Sequence, residues 1–305
     1  MSGLIDSLRH LPISGELLSI GAALFWAAAI VIFRIVGRDV HPLAVNLFKN
    51  LLGVALLVPT IAALGHPILP ALPVRDYAVF LLSGVIGIAV ADTLILMALN
   101  KLGAELLAIV DCAYSPFVIG LSFVFLGERM DALQTVGVVL IVLAVLLISG
   151  GRGEARTSRR DLFLGIGLGI VSVFLMAAGI VMVKPLLGRT PLLWGTMIRL
   201  AGGSAAVGLY LAFHPRRKAY LRPLGSLRTL VLLVPGALCA TYFSNTLWLA
   251  GMRLTQASIA SALNQLSTIF IFVLAALFLK EKPTPRKILA VALAFIGAVL
   301  VSAAL

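Results

Sequence analysis

Charge is scarce in this sequence, and acid is scarcer than base. Only 12% of the 305 residues are charged, with 12 Asp and Glu against 24 Lys and Arg, while 61% are hydrophobic. Soluble domains run at roughly 45–50% apolar and about 25% charged. Too little polar surface is left here to coat a water-soluble globule. With a mean hydropathy of +1.12, the class is integral membrane protein. Cysteine is nearly missing: Cys112 and Cys239 are the only two, both inside apolar runs. That excludes a disulfide framework and a thiolate metal site. The four histidines, His10, His41, His66 and His214, sit in loops or at the edges of apolar runs, so no His-rich or Ser/His catalytic constellation is available. A GxxxxGK[ST] loop is also lacking, which leaves ATP-driven transport within this chain unsupported. The first apolar run, Leu17 to Val36, exceeds the roughly 7–15 residues of a leader's apolar region and reads as an uncleaved span.

What is abundant is long apolar sequence. A membrane-crossing helix needs about 20 such residues. Ten candidates occur, at 15–36, 41–64, 75–99, 102–126, 132–150, 161–184, 190–213, 227–250, 254–279 and 285–305. Short connections carrying turn and charge residues separate them, such as "GRDVHP", "GERMD" and "KEKPTPRK". The one linker-like piece, "GGRGEARTSRR" at 150–160, lies at the midpoint. It divides a first unit, 15–150, from a second, 161–305, with 151–160 between them.

The two units repeat. An offset of 153 places Asp92 on Asn245, Asp111 on Asn264 and Glu128 on Glu281, and "GERMDALQTVGVVLIVLAVLLIS" answers "KEKPTPRKILAVALAFIGAVLVS". An offset of 149 places Pro42 on Pro191, Asn50 on Arg199 and Gly53 on Gly202. Five spans per copy is an odd number, so the copies enter the membrane in opposite directions. The expected fold is all-α, ten transmembrane helices as two inverted five-helix repeats around a central cavity, with the substrate site near the midplane.

Basic residues concentrate in the gaps between spans with few aromatics among them, which argues against nucleic acid and for membrane edges. Six lie on the side of the N-terminus: Arg9, Arg75, Arg129, Lys184, Arg189 and Arg253. Fifteen lie on the other side, nine of them in 152–160 and 216–228. The charge asymmetry puts both termini outside the cytoplasm.

The ten spans, the duplication, and "SPFVIGLSFVFLGE" with its echo "STIFIFVLAALFLKE" resemble the EamA-type members of the drug/metabolite transporter superfamily. The likeness covers nearly the whole chain. The second copy departs from it, with Ile269 where the first has Pro116 and Lys280 where it has Gly127. The resemblance implies secondary transport of small metabolites, often export of amino acids or drugs, across a cell membrane. It also implies a cavity lined by the first four helices of each repeat, the fifth packing outside. Family members are often drawn with both termini cytoplasmic, opposite to the charge count.

Inside the spans lie Arg34, Lys49, Asp92, Glu105, Asp111 and Arg199. Each costs roughly 2.5–3.5 kcal/mol at a helix centre on insertion scales, so they must be paired or wet. Asp111 lies on a stripe of small and polar residues, Ala104, Ala108, Asp111, Ser115 and Ser122, answered by Ala257, Ser261, Asn264, Thr268 and Ala275. Pro116 removes a backbone donor nearby and marks a hinge. Together they point to a water-lined site. Lys49, beside Asn50, and Arg199 are the cations to hold a substrate carboxylate, while Asp111 or Asp92 takes an amine or a proton. Permanent Lys49–Asp92 and Arg199–Asp111 pairs are the competing reading. The resemblance implies that Trp26, Tyr242 and Trp248 sit on cavity-lining helices; Tyr242, Asn245 and Trp248, three apart, form an aromatic–amide face, against plain packing or interface anchoring. Arg34 and Glu105 lie near span ends and read as snorkelling. Glu128 and Glu281 read as solvated ends or caps. Gly165 and Gly169 read as a close-packing pair.

The function expected is alternating-access transport, by preference export, of a small polar or amphipathic metabolite, with a proton or ion as the driving partner. No cofactor, metal or enzymatic activity is expected. The partners are a small-molecule substrate and membrane lipid, and a homodimer is compatible with the sequence. A lipid-carrier flippase on the same fold is the first alternative. An enzyme or a structural membrane subunit is the alternative from another class.

Overall fold

The computed structural model describes residues 14–111, 113–149, 159–279 and 285–303. Arg9, Cys112, most of the midpoint linker, and Lys280, Glu281 and Lys282 lie outside them, as do the side chains of Ala104, Glu105, Ala108 and Ala275.

Every regular element among the described residues is helical. Helix α1 is Ser14–Val36 and α2 is Pro42–Ala63. Then α3, Val74–Gly84, runs through a π-helical segment, Val85–Val90, into α4, Ala91–Asp111. The first unit ends with α5, Tyr114–Leu126, and α6, Ala132–Ser149. The second contains α7, Arg159–Val183, α8, Leu192–Phe213, and a short α9, Arg217–Leu221. Helix α10, Leu227–Ala237, passes through a second π segment, Leu238–Ser244, into α11, Asn245–Leu254. The chain closes with α12, Ala257–Asn264, α13, Leu266–Leu279, and α14, Pro285–Ala303.

Among the described residues, six stretches are long and apolar enough to cross a membrane, and three shorter apolar helices accompany them. The outer surface carries large apolar side chains, Phe163 73% and Phe213 82% exposed among them. Such a surface suits lipid, whose tails are as apolar as the side chains that face them.

Three features depart from uniform spans. The expected helix at 102–126 is broken twice. Gly103 takes φ 76°, a left-handed value that glycine adopts without the steric cost of a Cβ, and a second break separates Asp111 from Tyr114. The second unit breaks at Gln265 in the same way. It does so with Ile269 where the first unit has Pro116, so proline is not what breaks these helices. Pro116 itself is exposed in the first turn of α5. Finally, the two π segments begin at Val85 and Leu238, the 153-residue offset again.

Small residues set the close approaches. A Cβ on Gly84 would stand 2.1 Å from the carbonyl oxygen of Arg199, and one on Gly203 would stand 2.7 Å from Ile88. Helices α3 and α8 therefore touch backbone to backbone. Gly165 and Gly169 of α7 admit Leu102 and Val110 of α4, as their spacing predicts. Helices α6 and α14 pack on each other, Gly297 against the carbonyl of Gly137.

Candidate substrate cavity

The breaks in the two units face each other. Gln265, at the second break, donates from Nε2 to the main-chain carbonyl of Asp111 at 2.9 Å. The hydroxyls of Ser115 and Ser261 lie 3.4 Å apart beside it. Interrupted helices leave backbone groups that only water or protein can satisfy at membrane depth. Here protein satisfies one of them across the unit boundary.

Next to this crossing lies a partly open cavity of about 80 Å³. Its charged lining is Lys49, Asp92, Asp111 and Arg199. Its amides are Asn245 and Asn264, and its aromatic walls are Trp26, Tyr114 and Trp248, with Tyr114 and Trp248 tilted at 6.1 Å. Met176 and Ile180 of α7 complete the apolar side. Among the described residues, none of α6 or α14 contributes to the lining.

Lys49 is committed. Its Nζ contacts Asp92 Oδ2 at 2.5 Å and Asn50 Oδ1 at 3.0 Å, and both charges are buried. The pair continues into a polar chain: Asn50 donates to Asn46 Oδ1 at 2.8 Å, and Asn46 Nδ2 reaches the carbonyl of Ile88 at 2.8 Å. Ile88 belongs to the π segment, where the widened i→i+5 pattern displaces carbonyls from their ordinary α partners. Asn46 gives that carbonyl a side-chain donor. Thr241 of the second π segment stands 2.9 Å from the carbonyl of Lys49, so both π segments are tied to α2.

Arg199 is held but not neutralised. Nε donates to Ser83 Oγ at 3.0 Å, and Ser83 in turn donates to the carbonyl of Gly179 at 2.6 Å. Nη1 is buried without a partner. No basic group among the described residues comes within 4 Å of the Asp111 carboxylate. The competing ion-pair reading is thus met for Lys49–Asp92 and not for Arg199–Asp111.

The remaining candidates divide. Trp26, Trp248, Asn245 and Asn264 line the cavity; Asn50 and Ser115 support it from behind; Pro116 does neither. Tyr242 lies outside the lining and shares a 2.9 Å hydrogen bond with Thr60. Arg34 does not simply reach for the membrane edge, since Nη1 donates to the carbonyl of Leu99 at 3.1 Å. Lys184 makes the same bond in the second unit, to the carbonyl of Met252. Glu128 is no solvated end: its two oxygens accept from the N–H groups of Ala257 and Ser258 at 2.9 and 3.1 Å. The sequence reading missed Tyr114, Met176 and Ile180, whose apolar surroundings give no signal, and Ser83, which a buried cation recruits.

An all-helical bundle with an apolar exterior, a duplicated broken-helix crossing and a charged internal cavity is the build of a multi-pass membrane transporter. The model of the EamA-like transporter family matches residues 13–150 and again 163–303. This chain belongs to the EamA-like transporter family, within the drug/metabolite transporters. A comparison with curated proteins found no match. Among 29 solved chains that match, one crystal structure aligns at TM-score 0.77 and 17% identity, over 94% of this chain and 96% of that chain. At that identity the likeness concerns the fold alone.

Proposed function

We propose that the protein is a secondary active transporter that moves a small polar or amphipathic metabolite across the cell membrane by alternating access, with export as the working direction. In this reading ten helical passes form two inverted five-helix units, 15–150 and 161–305, joined by the 151–160 linker. One observation carries it: within a single cavity, Arg199 holds an unpartnered Nη1 while Asp111 has no basic partner among the described residues, between walls that include Trp26 and Trp248.

A buried, unpaired charge is expensive and is retained where a ligand completes it. A zwitterion with an apolar body satisfies this arrangement. Its carboxylate meets Arg199, whose planar fork suits carboxylate, its amine meets Asp111, and its body lies against the aromatic walls. Asp111 is the group to carry a coupled proton, since Asn264 at the equivalent place does not titrate and Asp92 is engaged by Lys49. Metabolite profiling of cells with and without the protein, then uptake of the enriched compounds into proteoliposomes, tests this reading. Transport of zwitterions is the expected result. Selective transport of long-tailed lipid carriers would favour the flippase instead.

A further inference from the structure

The turn between α11 and α12 is gripped from the first unit by two carboxylates. Glu128 accepts from the main-chain N–H groups of Ala257 and Ser258 and from the Ser258 hydroxyl at 3.0 Å. Glu16 accepts from the Thr255 hydroxyl at 2.7 Å. From within the second unit, Lys184 donates to the carbonyls of Met252 and Thr255. Each of the four bonds from Glu16 and Glu128 crosses between the units.

The local sequence explains why Glu128 arrives there. Gly127 ends α5 at φ 67°, and the Glu128 N–H turns back to the carbonyl of Ser122 at 3.3 Å. That is the left-handed helix ending that glycine favours, and it swings the next side chain off the axis of α5. The carboxylate then meets the start of α12, where two N–H groups have no partner within the helix. Around the turn the backbones are in close contact. A Cβ on Gly15 would stand 2.9 Å from Thr255, and one on Gly251 would stand 2.4 Å from the Ser19 hydroxyl. These contacts and bonds join the two units at this end, beside an open surface cleft lined by Glu128, Lys184 and Thr255.

We propose that Glu128, assisted by Glu16, is the gate that holds the N-terminal end of the cavity closed, and that these inter-unit bonds break each time that end opens. The proposal rests on the alternating-access reading. It adds residues outside the cavity whose role is to set which end is open. Charge-assisted bonds to a helix start suit this task, being strong when aligned and replaceable by water when the end opens.

The test measures distance and does not depend on knowing the substrate. Spin labels go on R129C in the first unit and G188C in the second, both exposed at this end, in a background lacking Cys112 and Cys239. In lipid nanodiscs the parent protein is expected to give mainly the short distance. Glu128→Ala should raise the longer population about tenfold relative to the short one, the loss expected for a charged cap. Thr255→Val, which removes the Glu16 bond from the other partner and leaves both carboxylates intact, should raise it by a smaller factor. A longer population in both variants supports the gate even if no transport is found, in which case only the transport reading fails. An unchanged distribution in Thr255→Val and in whatever folded Glu128→Ala is recovered overturns the gate, even where transport is normal.

Discussion

Asn46 on α2 donates to the carbonyl of Ile88, 42 residues away at 2.8 Å. That bond joins a displaced carbonyl in a π segment to the Asn50–Lys49–Asp92 chain in the cavity wall. Backbone irregularity and the buried ion pair are therefore one arrangement. Asn46→Leu should remove the buried bonds to Ile88, Thr93 and Asn50, lowering stability in detergent by about 1–3 kcal/mol. Thermal unfolding followed by fluorescence checks this, and Asn46→Gln should not restore it, because the longer side chain does not fit the same buried place.

The two cations should behave differently. Lys49→Gln leaves Asp92 buried without its partner, a loss of about 3–5 kcal/mol, visible as poor recovery and early melting. Arg199→Gln removes a group with a free donor and should leave melting nearly unchanged. Its apparent KM for a carboxylate substrate should rise about tenfold or more. Equal melting losses with unchanged KM would make both residues structural.

His41 caps α2, accepting from the Leu43 N–H at 3.3 Å, and stacks on Tyr220 at 3.7 Å. Burial, and then the neighbouring His214, hold its pKa below the ordinary imidazole value. The neutral form is thus favoured in the folded protein. The stability this confers is present above roughly pH 6.5 and is lost as pH falls through the lower folded value. Melting temperature should drop on acidification below pH 6.5, and less steeply in His41→Phe, which keeps the stack without the titration.

Orientation is open to a direct check. The basic loops at 152–160 and 216–228 should face the cytoplasm, as charge asymmetry dictates. Single cysteines placed there, with Cys112 and Cys239 removed, should resist impermeant thiol reagents in intact cells. Ready labelling would put both termini in the cytoplasm.

The sequence made the outline legible because the apolar runs and the 153-residue offset are properties of composition and spacing. Asp111, Asp92, Lys49 and Arg199 stood out because ionisable residues are rare at that depth. What it hid were features decided by geometry. A π register six or seven residues long leaves no periodic mark, since its apolar pattern blends into the flanking α-helix. The span at 102–126 read as one helix hinged at Pro116, yet it breaks elsewhere and the second unit breaks without proline. Glu128, next to Arg129, read as a local surface acid because its partners lie 129 and 130 residues further on. Lys49 and Arg199 looked equivalent, and only their partners separate them.

In the proposed cycle the Asp111 carboxylate couples a proton gradient to movement of substrate through this cavity. Proteoliposomes carrying Asp111→Asn, loaded with an identified substrate, test it most directly. With an imposed pH gradient the variant should show no accumulation above equilibrium, while exchange between two substrate pools at equal pH continues at a rate comparable to the parent. Full gradient-driven accumulation by Asp111→Asn would contradict a coupling role for this carboxylate.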